Sequence, residues 1–195
     1  MLNQARPAIV TMVMFSLLLG GAYPALVTLA GGAMFPAQAE GSFLRNSQGT
    51  VVGSRLIGQV TTGAQYLWPR PSAAGAGYDA AASSGSNLGP LSPALFDRVA
   101  GDTRAIRAYA PNGAIPPDAV TASGSGLDPD ISPEFAALQV ARIASARGIG
   151  TDAVEAVIAA NIEWPLLGFI GQPRVNVLVT NLALDAAKPP ATASE

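Results

Sequence analysis

Between residues 7 and 39 the chain runs for 33 positions without a charged side chain, and nothing else in the sequence restricts its possible folds so much. The core of this stretch, residues 7–30, would form a helix of about 36 Å, enough to cross a hydrocarbon layer of roughly 30 Å with some tilt. A helix of a soluble domain rarely runs so far uncharged, because one face must meet water. The string Ala37-Gln38-Ala39 has the small-x-small form of a leader cleavage site, yet the apolar stretch exceeds the roughly 7 to 15 residues of a secretory leader, and only Arg6 supplies a basic flank. The pattern therefore predicts a retained spanning helix over residues 7–33. Gly20, Gly21 and Ala25 put small residues on neighbouring turns, where another helix could pack closely. Pro24 lacks an amide donor and should bend the helix near Ala22 and Tyr23.

Orientation follows from charge. Arg6 and the amino terminus lie on one side, and the positive-inside bias makes residues 1–6 a short cytoplasmic end, with residues 34–187 on the periplasmic or extracellular side of a bacterial inner membrane. Residues 188–195, a Pro/Ala/Ser-rich tail beginning at Lys188, are expected to be disordered.

From Glu40 onward the chain holds all 13 acids and 10 of the 11 bases, a net of minus three. That balance cannot neutralise phosphates, so nucleic acid is excluded as a natural partner. Cysteine and histidine are both missing, which removes disulfides, thiol nucleophiles, imidazole bases and the usual zinc ligand sets. No metal site and no catalytic residue is assigned from the sequence.

Local signals predict an α+β domain after the anchor. Residues 53–60 read as a strand between glycines. Residues 66–77, broken by Pro69 and Pro71, read as irregular or edge structure. Ser92 and Pro93 start a helix that continues through residue 107, and Ser132 and Pro133 start another over residues 134–147, with Gly148 as its stop. A third begins at Thr151 and should end by Trp164, ahead of Pro165. Residues 174–185, rich in branched side chains, read as a strand.

Two passages resemble each other: Ser84-Gly-Ser-Asn-Leu-Gly-Pro90 and Ser123-Gly-Ser-Gly-Leu-Asp-Pro129, each running into a Ser-Pro helix start. Ser84, Gly85, Ser86 and Asn87 in one, and Ser123, Gly124, Ser125 and Gly126 in the other, could present backbone amides to an anion such as a nucleotide phosphate. Equally, they could be turns whose serines satisfy the backbone and cap helices. Neither is a Walker A loop, since no Gly-Lys-Ser or Gly-Lys-Thr occurs, and no Asp-Lys-Thr-Gly-Thr string carries a phosphorylatable aspartate. Asp128 and Asp130 flank Pro129, where Asp128 is expected to bond the local backbone.

With these residues in view, the chain resembles the C subunit of the Kdp potassium-transporting ATPase. The matching strings are Tyr23-Pro24, Phe35-Pro-Ala-Gln-Ala-Glu-Gly-Ser42, Gly53-Ser-Arg-Leu-Ile-Gly-Gln59, Arg70-Pro-Ser-Ala-Ala-Gly75, Ser83-Ser-Gly-Ser-Asn-Leu-Gly-Pro90, Val120-Thr-Ala-Ser-Gly-Ser-Gly-Leu-Asp-Pro129, Ile131-Ser-Pro133, Pro173-Arg-Val-Asn-Val-Leu178 and Asn181-Leu-Ala-Leu-Asp185. They follow one another in order over nearly the whole chain. The resemblance implies a single-pass, non-catalytic subunit beside a channel-like potassium-translocating A subunit, an ATP-hydrolysing B subunit and a very small F subunit. Potassium is then the transported ion, and ATP enters through the complex rather than as a cofactor held by this chain. The family is also described as a catalytic chaperone that raises the ATP affinity of the hydrolysing subunit through the Ser-Gly-Ser loops, a role that conflicts with a domain outside the cytoplasm. Asp130 and Asn161 stand where the family pattern carries histidine. A membrane-tethered hydrolase or binding protein acting alone is the remaining alternative.

Overall fold

The computed structural model describes residues 4–187; the expected tail at 188–195 lies outside the described residues. The chain divides into two units, Met1–Phe43 and Leu44–Glu195.

The first unit is a helix from Ala5 to Met34, 30 residues long, or about 45 Å at the helical rise. It begins as α1 (Ala5–Leu17), widens into a π-turn at Leu18–Ala22 and continues as α2 (Tyr23–Met34), followed by the short α3 (Pro36–Ala39). Pro24 explains the widening. In an α-register its missing N–H would face the Gly20 carbonyl and its ring would press on it. Instead the preceding amide, that of Tyr23, donates to the Leu18 carbonyl five residues back. The irregularity expected at Ala22 and Tyr23 is thus a π-turn reaching back to Leu18. The apolar side chains of this helix are unburied within the unit, and open space surrounds the positions where Gly20 and Gly21 would carry a Cβ.

The second unit is α+β, as the sequence predicts. β1 (Phe43–Arg45) and β2 (Val51–Ser54) form a two-stranded sheet, while β3 (Asp130–Ile131), β4 (Ile162–Glu163) and β5 (Arg174–Asn176) form a second in the order β3-β5-β4. Both pairings of the second sheet are antiparallel, with Ile131 and Ile162 flanking Val175. Around it lie α4 (Pro93–Tyr109), α5 (Pro133–Leu138), α6 (Val140–Arg147), α7 (Thr151–Ala160) and α8 (Val177–Ala187). Leu67, Ile106, Phe135, Ile143, Val154, Val175 and Leu184 form the heart of the core.

Three sequence expectations need correction. The strand placed at 53–60 is only the end of β2. Ser54 turns the chain outward, its hydroxyl accepting from the Leu56 amide at 3.2 Å, and Leu56 is exposed. The helix expected over 134–147 is split at Gln139, whose side chain is buried and used elsewhere.

The third correction is larger: of residues 174–185, only Arg174–Asn176 is strand, and α8 follows directly. Asn176 makes the switch. Its side-chain oxygen accepts from the Val179 amide at 3.1 Å, an N-cap bond, and the Thr180 hydroxyl donates to its carbonyl at 2.8 Å. The buried residues of α8 are Val177, Thr180, Asn181 and Leu184, which is helical spacing, so tertiary packing overrides the strand preference of the branched side chains. Elsewhere the predicted punctuation holds. Ser132 accepts from the Phe135 amide at 3.0 Å, and Gly148 ends α6 in the left-handed conformation at φ 62°.

The segment between β2 and α4 is irregular, as Pro69 and Pro71 predict, but it is firmly held. Asn181 clasps the Leu67 backbone from both sides, accepting from its N–H at 2.7 Å and donating to its carbonyl at 3.0 Å. Gln139 does the same for Trp68, at 2.8 and 3.1 Å. These two amides supply the bonds that a neighbouring strand would otherwise give. Arg147, its side chain fully buried, donates to the carbonyls of Gln65 and Leu184 at 2.7 and 2.9 Å and to Asp185 at 2.8 Å. Arg142 lies 3.5 Å over the Trp68 ring, and burial pushes its guanidinium down to about 10.

Candidate functional site

The two Ser-Gly passages, 39 positions apart in sequence, lie against one another. The Ser84 amide donates to the Ser125 carbonyl at 2.9 Å, and the Ser83 hydroxyl donates to the same oxygen at 3.0 Å. The contact is close enough that a Cβ on Gly85 would sit 3.1 Å from the Gly124 carbonyl oxygen, and one on Gly126 only 2.6 Å from that of Ser84. Gly126 also has φ 68°, so both space and backbone call for glycine there.

The serines of the second passage mostly serve their own turn. Ser123 Oγ accepts from the Gly126 amide at 2.9 Å and Ser125 Oγ from the Leu127 amide at 3.1 Å. Ser72, a residue that sequence reasoning did not single out, joins the turn to the irregular segment. Its hydroxyl donates to the Gly126 carbonyl at 2.6 Å and accepts from the Tyr78 amide at 2.8 Å. Tyr78 itself has φ 58°, and its hydroxyl bonds the Arg70 carbonyl; burial, above all, raises its pKa. Ser86 and Asn87 belong to the same stretch, Asn87 at φ 50°, a conformation asparagine tolerates better than most residues.

Beyond Leu127 the second passage enters a cleft of about 650 Å3 lined by Arg70, Asp118, Asp128, Asp130, Glu134 and Arg174, among others. Its two cations are already paired. Arg70 reaches Asp128 at 2.7 Å, while Arg174 meets Asp130 at 3.2 Å and Glu163 at 2.8 Å. Asp128 also accepts from the Asp130 amide at 3.0 Å, the local backbone bond expected beside Pro129. Asp118 is occupied by Ser132, through its amide at 2.7 Å and its hydroxyl at 2.9 Å.

The Asp130 carboxyl accepts from Asn176 at 3.0 Å. Burial raises its pKa, against the lowering pull of the Asn176 hydrogen bond and the Arg174 charge. Glu163 shows the opposite shift, lowered first by its hydrogen bonds from Arg174 and then, against the opposing effect of burial, by Arg55. Asn161 donates to the Val157 carbonyl at 2.8 Å and closes α7.

The cleft thus presents four carboxylates to two occupied arginines, a poor setting for an anion. Among the described residues no group of three His, Cys, Asp or Glu side chains is placed to hold a metal ion. The paired loops were half legible: the repeated text marked them, but nothing local announced that they pack together. Arg70 and Ser72 could have been noticed only through the string Arg70-Pro-Ser-Ala-Ala-Gly75.

Known proteins share this pattern along the chain. The family KdpC, described as the K+-transporting ATPase, c chain, matches residues 5–186. The chain belongs to the KdpC family. Among its relatives, the potassium-transporting ATPase KdpC subunit of Caulobacter vibrioides (strain NA1000 / CB15N) is 59% identical over 190 residues, which is 97% of this chain and 96% of the relative. The KdpC subunit of Beijerinckia indica is 54% identical over 191 residues, again 97% and 96%. That of Geobacter sulfurreducens is 49% identical over 189 residues, 96% of this chain and all of the relative. The match begins at residue 5, so the apolar helix as well as the domain falls within the KdpC pattern.

Proposed function

We propose that this KdpC-family chain is a non-catalytic accessory subunit of an ATP-driven potassium uptake complex. It would stabilise assembly through its membrane helix and cap or regulate the potassium-translocating subunit from outside the membrane. The potassium-translocating, ATP-hydrolysing and small F subunits of such a complex are its partners in this reading, and the lipid bilayer surrounds residues 7–33, with Gly20, Gly21, Pro24 and Ala25 at the helix contact.

The observation that carries the reading is how the polar atoms of the Ser-Gly loops are used. Of the candidate loop residues, Ser84 and Gly126 already use their amides within the paired loops, the serine hydroxyls of the second loop accept from its own amides, and the neighbouring arginines are held by carboxylates. A nucleotide would have to displace these bonds, whereas packed turns need nothing further.

The catalytic-chaperone reading, in which the loops raise the ATP affinity of the hydrolysing subunit, draws support from their pairing, since two repeated loops meeting at one place could embrace one ligand. Titration of the full chain in detergent with ATP up to millimolar concentration separates the two. The accessory reading expects no specific binding. Saturable binding that Gly124→Val abolishes, in protein that unfolds at the wild-type urea midpoint, would instead assign the loops to nucleotide; a Cβ at that position meets no atom within 4 Å. Protease treatment of intact spheroplasts supplies the topology: cleavage of the domain from outside agrees with the proposal, and protection overturns it.

A further inference from the structure

Between β4 and β5 the chain projects a small apolar hairpin. Leu166 and Ile170 exchange both backbone bonds, at 3.2 and 3.0 Å, and the Gly168 amide donates to the Pro165 carbonyl at 3.0 Å. At the tip, Leu167 and Gly168 lie in the left-handed region, at φ 55° and 80°. Leucine rarely adopts that conformation, and the hairpin's own backbone bonds close the turn in that shape. Its backbone is served from within, and its side chains are left out: Trp164, Leu166, Leu167 and Phe169 are each about 70% exposed or more, and Ile170 is half exposed. Residues 164–173 include no charged side chain. Five large apolar side chains gathered on one exposed projection mark an interaction site rather than ordinary surface.

We propose that this hairpin is a docking knob that inserts into an uncharged apolar pocket on a partner subunit of the same ATPase complex. The proposal rests on the accessory-subunit reading above and names the element that makes the contact. Charge selects a protein pocket over the bilayer surface: the domain carries a net of minus three, which an anionic lipid surface repels, and the knob lacks the basic residues that hold peripheral segments on such a surface. Preorganisation points the same way. A fixed turn lowers the ordering cost of fitting a shaped pocket, and an exposed tryptophan beside leucine and phenylalanine has the composition of an interface anchor. At the knob's base, Glu163 pairs with both Arg174 and Arg55, fixing where the projection leaves the sheet.

The test co-expresses the tagged full chain with the other subunits of the complex, extracts the membranes in mild detergent and measures the partner protein recovered on the tag. Leu167→Asp with Phe169→Asp is expected to lower recovery at least tenfold. Leu91→Asp, at a residue 86% exposed and remote in sequence, should change it less than twofold. Unchanged emission of Trp68, read in a Trp164→Phe background, would establish that the knob variant is folded. Should that variant fail to fold, a photo-crosslinking phenylalanine analogue at position 169 replaces it. A crosslink to a partner subunit supports docking, and crosslinks to lipid alone overturn it. If the wild-type chain recovers no partner, the accessory reading itself fails; if wild type and knob variant recover partner equally, only the hairpin proposal does.

Discussion

Two irregular segments of the domain show opposite solutions to the same problem. Both the Tyr66–Trp68 stretch and the hairpin at 164–171 carry bulky apolar side chains on backbone outside the main sheet. In the first, side chains from α6, α8 and the α5–α6 junction reach over to bond the backbone: Asn181, Gln139 and Arg147 give their amides and guanidinium to Leu67, Trp68 and Gln65, which lets Leu67 reach 0% exposure. In the second, the backbone bonds itself, and no side chain from the core reaches it among the described hydrogen bonds. Apolar residues are buried where polar side chains release the backbone from water, and remain outside where the backbone has closed on itself. The first arrangement builds a core; the second presents a surface. The chain's two tryptophans fall one in each region, Trp68 stacked edge-on to Tyr109 at 5.6 Å and Trp164 71% exposed, so comparing the full chain with a Trp164→Phe variant separates their emission.

The largest effect is expected where the backbone depends on a buried charge. Arg147→Met removes the donor to the Gln65 and Leu184 carbonyls and leaves Asp185 without its guanidinium. Asp185 keeps about a third of its side chain in solvent and can rehydrate, so the cost is smaller than for a fully buried pair, about 3 kcal/mol. Urea unfolding of the full chain in detergent, followed by Trp68 emission, should show the midpoint fall accordingly. A midpoint within about 0.5 kcal/mol of wild type would mean that the segment is not held as described.

Gln139→Leu asks how much one clasp contributes. The substitution keeps an apolar stem inside α5 and α6 but leaves both Trp68 backbone groups unpaired, so a loss of about 1 to 3 kcal/mol is expected in the same titration. The acrylamide accessibility of Trp68 should rise while that of Trp164 stays constant. A parallel rise at Trp164 would show that the two regions are coupled, and the contrast between them would fail.

What the sequence revealed follows the same division between local and distant interactions. Helix starts at Ser92-Pro93 and Ser132-Pro133 and the stop at Gly148 were readable because first-turn proline, the Ser132 cap and the left-handed glycine act within a few residues, although Ser92 itself makes no side-chain cap bond. Residues 177–185 were misread as strand because branched side chains count locally towards sheet, while the decisive facts were distant: Asn176 caps α8 and Asn181 turns inward to clasp Leu67. A period of three and four in Val177, Thr180, Asn181 and Leu184 was present in the text, but Thr180 and Asn181 look like surface residues until their buried partners are known. The repeated Ser-Gly passages were visible as text, and their mutual packing was not. The exposed knob was missed altogether, since Leu166, Leu167, Phe169 and Ile170 read as core to any rule that equates apolar with buried.

The smallest expected change lies at the tip of that knob and is the most discriminating, because stability and association should move in opposite directions. Leu167 has φ 55° and is 76% exposed, so its conformation is strained and its side chain makes little contribution to packing. Asparagine enters the left-handed region at lower cost, and Leu167→Asn should therefore stabilise the chain slightly, by about 0.5 kcal/mol. The same substitution removes an apolar contact from the proposed docking surface, so recovery of the partner subunit should fall even as the unfolding midpoint holds or rises. A core residue cannot behave this way: replacing Leu67 by asparagine would lower both together. If Leu167→Asn lowers the midpoint by 1 kcal/mol or more, the side chain is packed after all and the hairpin belongs with the clasped segment. If the midpoint rises and association is unaffected, the tip is rigid without being a contact, and the knob must engage its partner through Trp164 and Phe169 or not at all.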